Sequence, residues 1–145
     1  MKNILVGIDF NEHSEILINQ AIRFAKAFGS KIWLLHAASP DPDYVGYEAG
    51  PQFMRDDRAN ELKKEHKQLL EYANKIKDSG IDSEGLLIQG PTIQTIMAES
   101  RKLNIELIIC GHHKHNYLYN ALFGSHAQSI VMKSSIPVLV VPLAE

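Results

Sequence analysis

The chain has almost no cysteine. Its single thiol, Cys110, cannot form an intrachain disulfide, so nothing in the sequence calls for an oxidising compartment and the cytoplasm is the expected location. An excess of one charge is also missing. Fifteen Lys and Arg against seventeen Asp and Glu leave a formal net charge of -2, so no general attraction to a polyanion is built in and nucleic acid is not an expected partner. Long hydrophobic runs are absent as well. The opening MKNILVGID meets Asp9 too soon for a signal-peptide core, and the most apolar stretch, IPVLVVPLA, falls far short of the roughly 18 residues of a membrane span. No membrane partner is expected. There is no G-x-x-x-x-G-K-[ST] loop, no paired-acid motif that would set a general base beside a water, no internal repeat and no low-complexity tract, so no catalytic residue is assigned.

What is present is an ordinary globular composition, with 45% hydrophobic and 22% charged residues in 145 positions, the size of one domain over 1–145. Such a chain can bury roughly 68 to 70% of the surface it exposes unfolded. Five short β-rich apolar runs recur: NILVGI (3–8), KIWLLHA (31–37), EGLLI (84–88), ELIIC (106–110) and PVLVV (137–141). Most are continuous in apolar residues, the pattern of strands covered on both faces by helices. Between them, helical stripes run through Leu17, Ala21, Phe24, Ala25 and Phe28; through Leu62, His66, Leu69, Ala73 and Ile76; through Ile93, Ile96, Met97, Ser100 and Leu103; and through Ala127, Ile130 and Val131. Asn11 or Ser14 can cap the first helix and Gly29 can end it. Alternating strands and helices predict an α/β fold, a doubly wound, five-stranded parallel sheet with helices on both faces. The long connection SPDPDYVGYEAGPQ carries turn-forming Asp41 and Asp43. Its Tyr44, Val45 and Tyr47 call for burial against the domain or a second subunit.

In open α/β sheets ligands bind beyond the carboxyl ends of the strands, which selects Asp9 after the first strand and GHHKHNYLYNALFGS (111–125) after the fourth. Gly111 directly follows a strand, and Gly124 with Ser125 precedes a helix, so backbone N–H groups can converge on a phosphate there. The same two residues also fit a plain turn and helix cap. Asp9 offers two oxygens to the vicinal hydroxyls of a ribose, or else supports the N-terminus of the first helix. His112, His113, His115 and His126 invite a metal, yet no cysteine or carboxylate stands at a recognised metal spacing around them, and no metal is expected. Lys114, Tyr117 and Tyr119 are too little for a nucleic-acid patch, and Cys110 inside LIICG reads as a small core residue.

Gly111, the nine residues 115 to 123, Gly124 and Ser125 keep the spacing G-x2-G-x9-G-[ST], while ILVGIDFNEHSE, LLHA and IPVLVVP match an opening strand and helix start, a second strand and a closing strand. On these motifs the chain resembles a universal stress protein domain over essentially its whole length. The resemblance implies a Rossmann-like fold that binds ATP or AMP, with or without magnesium, hydrolysing it slowly at most, and acting as a sensor or regulator read by a further protein. It implies that Asp9 bonds the ribose and that Ile8 and the backbone of Ala37 contact the adenosine. Gly111, His113, Gly124, Ser125 and His126 would surround the phosphates. It also implies a homodimer through the closing strand, Pro137 to Pro142, whose edge has unpaired backbone groups to offer. One position departs: Lys114 stands at the second glycine of the pattern. Its ammonium either reaches the phosphates as a point charge or fills their space, and the latter leaves a dimeric interaction module that binds no nucleotide.

Overall fold

A computed structural model describes residues 1–38, 52–113 and 126–143. The apolar runs form β1 (Asn3–Gly7), β2 (Lys31–Ala38), β3 (Ser83–Gln89), β4 (Leu107–His113) and β5 (Val138–Leu143). The stretches with helical spacing form α1 (Ser14–Phe28), α2 (Gln52–Asp78), α3 (Thr92–Lys102) and α4 (His126–Lys133). All strand pairs are parallel and the order across the sheet is β3-β2-β1-β4-β5.

Continuous apolar character is explained by burial on both faces: Ile4, Leu5 and Val6 of β1 are each 0% exposed. Their alternation divides the core in two. Ile4 and Val6, with Ile32, Leu34 and Ile109, face Leu17, Ile18 and Ala21 of α1 and Leu69, Ala73 and Ile76 of α2. Leu5, Leu35 and Ile108 face Ile96 of α3 and Ala127 and Ile130 of α4. Each fully buried Leu or Ile contributes about 1.5 to 3 kcal/mol, so these two layers supply the main favourable term in folding.

Several details differ from the sequence expectation. The fourth strand runs on through Gly111, His112 and His113, because β5 also runs longer than expected and pairs them in register with Val141, Pro142 and Leu143. Gly111 therefore lies inside a strand rather than after one. Neither Asn11 nor Ser14 caps α1 as expected. The N-cap is His13 without a side-chain bond, the Ser14 hydroxyl donates to the Asp9 carbonyl at 2.6 Å, and Asn11 Oδ1 accepts from the His13 N–H at 2.9 Å. Gly29 does end the helix, in the left-handed conformation at φ 68°. Phe28 and Val131 are exposed at the margins of their stripes, 53% and 52%. On α2 the inward position expected for His66 belongs to its neighbour: His66 is exposed and Glu65 is turned half inward. The expected features of the 39–51 connection, and those of 114–125, lie outside the described residues.

Candidate functional site

The chain direction reverses between β1 and β4. From β1 the chain proceeds outward through β2 to β3, and β4 with β5 builds the other side. β1 and β4 pair only over Ile4 to Val6 against Leu107 to Ile109, so beyond Ile109 the two chains are no longer joined. A crevice opens at this point, as the general rule for doubly wound sheets requires. It is lined by Gly7, Ile8 and Asp9 after β1, by Leu35 and Ala37 of β2, and by Cys110 and Gly111 of β4, with Thr92 and Ile96 of α3 and His126, Ala127 and Ile130 of α4 closing it.

Five of the residues singled out in the sequence, Ile8, Asp9, Ala37, Gly111 and His126, are thus brought to one cleft. His113 is not among its lining residues; its ring packs edge-on against His13 with centroids 5.6 Å apart. Lys114, Gly124 and Ser125 lie outside the described residues, as does His115. Among the described residues no group of three or more His, Cys, Asp or Glu side chains is arranged to hold a metal ion.

The cleft is chemically graded. Its floor is apolar, from Leu35, Ile96 and Ile130, and its edge presents the backbone of Ala37. Asp9 is exposed, and its backbone carbonyl rather than its carboxylate accepts the Ser14 hydroxyl at the start of α1. The N-termini of α3 and α4 both reach the cleft through Thr92 and His126. The α3 N-cap, Pro91, makes no side-chain cap bond, so the first N–H groups of that helix keep their donor capacity and the helix dipole adds partial positive charge. The described lining contains no Lys or Arg and one carboxylate. Anion binding here would fall to backbone amides and His126, and Asp9 would meet hydroxyl donors rather than phosphate oxygens.

Gly111 has a steric reason to be glycine. A Cβ there would meet Leu143 Cδ1 at 2.6 Å and Cγ at 3.1 Å, so the residue lets β5 pack closely on β4. Cys110 is 5% exposed and burial pushes its thiol up to about 11, the behaviour of a core residue rather than a nucleophile. Sequence reasoning assigned no α3 residue to the site; the signal available was Gly90 at the end of a strand, directly before a helix start.

The universal stress protein family pattern matches residues 1–142. Universal stress protein C of Salmonella typhimurium is 31% identical over 142 residues, covering 98% of this chain and 96% of that one. Universal stress protein YxiE of Bacillus subtilis is 27% identical over 143 residues, covering 95% and 97%. Among solved structures, a universal stress protein in complex with cAMP aligns with a TM-score of 0.75 at 18% identity, over 97% of this chain and 96% of that one. One from Archaeoglobus fulgidus in complex with dAMP aligns with a TM-score of 0.65 at 15% identity, over 99% and 98%. At these identities the structural likeness speaks for the fold.

Proposed function

The chain belongs to the universal stress protein family, and from that premise we propose that it is a single-domain, cytoplasmic binding protein that takes ATP or AMP into the β1/β4 cleft and acts as a regulator in the stress response. The observation that carries this is the convergence of Ile8, Asp9, Ala37, Gly111 and His126 on one crevice at the reversal of the sheet. The apolar floor suits a purine face, the Ala37 backbone its edge, and the Asp9 carboxylate a ribose diol. The N-termini of α3 and α4 suit phosphates, and Gly124 and Ser125, whose spacing carries the resemblance, would join them. Two relatives of the same fold are described as complexes with cAMP and dAMP, which supports an adenine nucleotide as the ligand class. Magnesium would enter with ATP as the nucleotide's own counter-ion.

The functional unit in this reading is a homodimer joined along Pro137 to Pro142. The sheet order leaves β5 at an edge, and Val140 on it and Val131 and Met132 on α4 are exposed apolar side chains, 36%, 52% and 78%. A further protein reads the nucleotide state.

Calorimetric titration with ATP and AMP tests the site. Wild type binds, and Asp9→Ala binds at least roughly ten-fold more weakly through loss of the charged acceptor for the ribose hydroxyls. Lys114→Gly is the second arm. Binding by Lys114→Gly but not by wild type would mean that the lysine closes the cradle and the protein is an interaction module; no binding by either removes the nucleotide role.

A further inference from the structure

His36 stands on β2 immediately before Ala37, but on the other face of the sheet from the cleft, the face of Leu34. Its Nδ1 lies 2.7 Å from the Ile8 carbonyl oxygen. A carbonyl only accepts, so Nδ1 carries a proton. On the other side of the ring, Nε2 lies 3.7 Å from Glu65 Oε2 of α2. That oxygen is buried and has no hydrogen-bond partner among the described residues. Both side chains are mostly covered, His36 14% and Glu65 26% exposed. The β1–α1 segment lays the Phe10 ring against the imidazole at a centroid distance of 4.5 Å; the Tyr72 phenol of α2 stacks beyond Phe10 at 6.4 Å, and β3 sets Leu87 in register with His36. Among the described residues, Glu65 is the one charged side chain in contact with the ring.

A neutral imidazole has one N–H, and this ring is flanked by two acceptors. With the proton on Nδ1 it bonds Ile8 and turns a lone pair toward the carboxylate. With the proton on Nε2 it turns a donor toward Glu65, at ion-pair rather than hydrogen-bond distance, and abandons the Ile8 carbonyl. Only the imidazolium offers a donor to both, and only it adds the attraction of opposite charges to Glu65. The Ile8 carbonyl shares a rigid peptide plane with the N–H of Asp9, and the Ile8 N–H is itself held by the Leu35 carbonyl at 2.9 Å, so the orientation of that plane sets where Asp9 enters the cleft.

We propose that His36 and Glu65 form a proton-operated strut beneath the β1–α1 segment: the charged ring holds Ile8 and Glu65 together, and loss of its proton releases one of them and loosens nucleotide binding. The link to nucleotide rests on the function proposed above; the strut does not. His36 and Glu65 are positioning residues, acting on the ligand through Ile8 and Asp9.

Glu65→Gln separates a strut from a merely structural contact, because a glutamine amide can donate to the neutral Nε2 and so satisfy the ring without a proton. AMP affinity of wild type and Glu65→Gln is compared at about pH 6 and about pH 8; titration of the ligand itself cancels in the comparison. The two should bind alike at the lower pH, and the variant should bind roughly five-fold more tightly at the higher, the low end of coupling between linked sites. Without nucleotide, the Tm of Glu65→Gln should gain on wild type across the same interval. Parallel Tm curves overturn the strut. Diverging Tm curves with no AMP binding by either protein leave the strut standing and reject the nucleotide reading, while AMP binding with a pH-independent ratio between the two overturns the coupling to the site.

Discussion

Cys110 illustrates how burial decides what a side chain can do. It sits in the cleft wall, where a reactive thiol would be conspicuous, yet burial pushes the thiol above its ordinary range, up to about 11. The sign of the consequence for stability follows. Below about pH 8 both folded and unfolded thiols keep their protons and Cys110 contributes nothing to the pH dependence. As the pH climbs from about 9 toward about 11, the unfolded chain gives up this proton first, so the folded state loses stability in that window. Cys110→Ala should therefore gain on wild type in alkaline thermal melts and run parallel to it near neutrality, and a native thiol titration with a disulfide reagent at about pH 8 should be slow until urea is added. At this scale the sequence was legible where chemistry is local. A cysteine inside LIICG already reads as core. It was not legible on α2, where residues 65 and 66 are neighbours on the helix and stripe counting favoured the less polar side chain, His66. The half-inward Glu65 is explained by His36 across the sheet face, a contact 29 residues away in sequence and invisible to a helical wheel.

At the scale of elements, strands and helices were readable because their signals are short-range: continuous apolar runs for β1 to β5 and stripes for α1 to α4. Ends were readable where one residue enforces them. Gly29 stops α1 at φ 68°, and a Cβ built there meets nothing within 4 Å, so the obstacle to substitution is backbone strain alone. Gly29→Ala should cost about 1 kcal/mol, read as a lower urea midpoint with an unchanged slope. Ends that depend on another strand were not readable. The extension of β4 through His113 is set by pairing with β5, a partner roughly thirty residues later, and nothing inside GHH announces it. For the site, the consequence is that Gly111 belongs to the ladder on its β5 side while its main chain lines the cleft, whereas the expectation had placed it after the strand. The α3 contribution was missed for a related reason: Thr92 and Ile96 reach the cleft only because α3 packs on β2 and beside α4, an arrangement no local pattern encodes.

For the whole molecule, the order β3-β2-β1-β4-β5 makes the two sheet edges unequal. β3 is covered closely by α2, with Leu69 lying against Gly85 so that a Cβ there would come within 2.9 Å. β5 presents Val140 and the nearby apolar side chains of α4. If the protein pairs through β5, Val140→Asp should shift its mass by light scattering from twice the chain mass to the 16.3 kDa of one chain while leaving the far-UV spectrum unchanged; a mass that stays doubled rejects the edge-strand dimer. The seat of Leu143 on the bare backbone of Gly111 carries this further. It keys the outermost strand into the wall of the β1/β4 crevice through a single side chain seated directly on main chain. A force applied to the rim, by a neighbouring subunit or by any protein that grips it, is therefore delivered to that wall as displacement instead of being absorbed, and movement of the wall is delivered just as stiffly back to the rim.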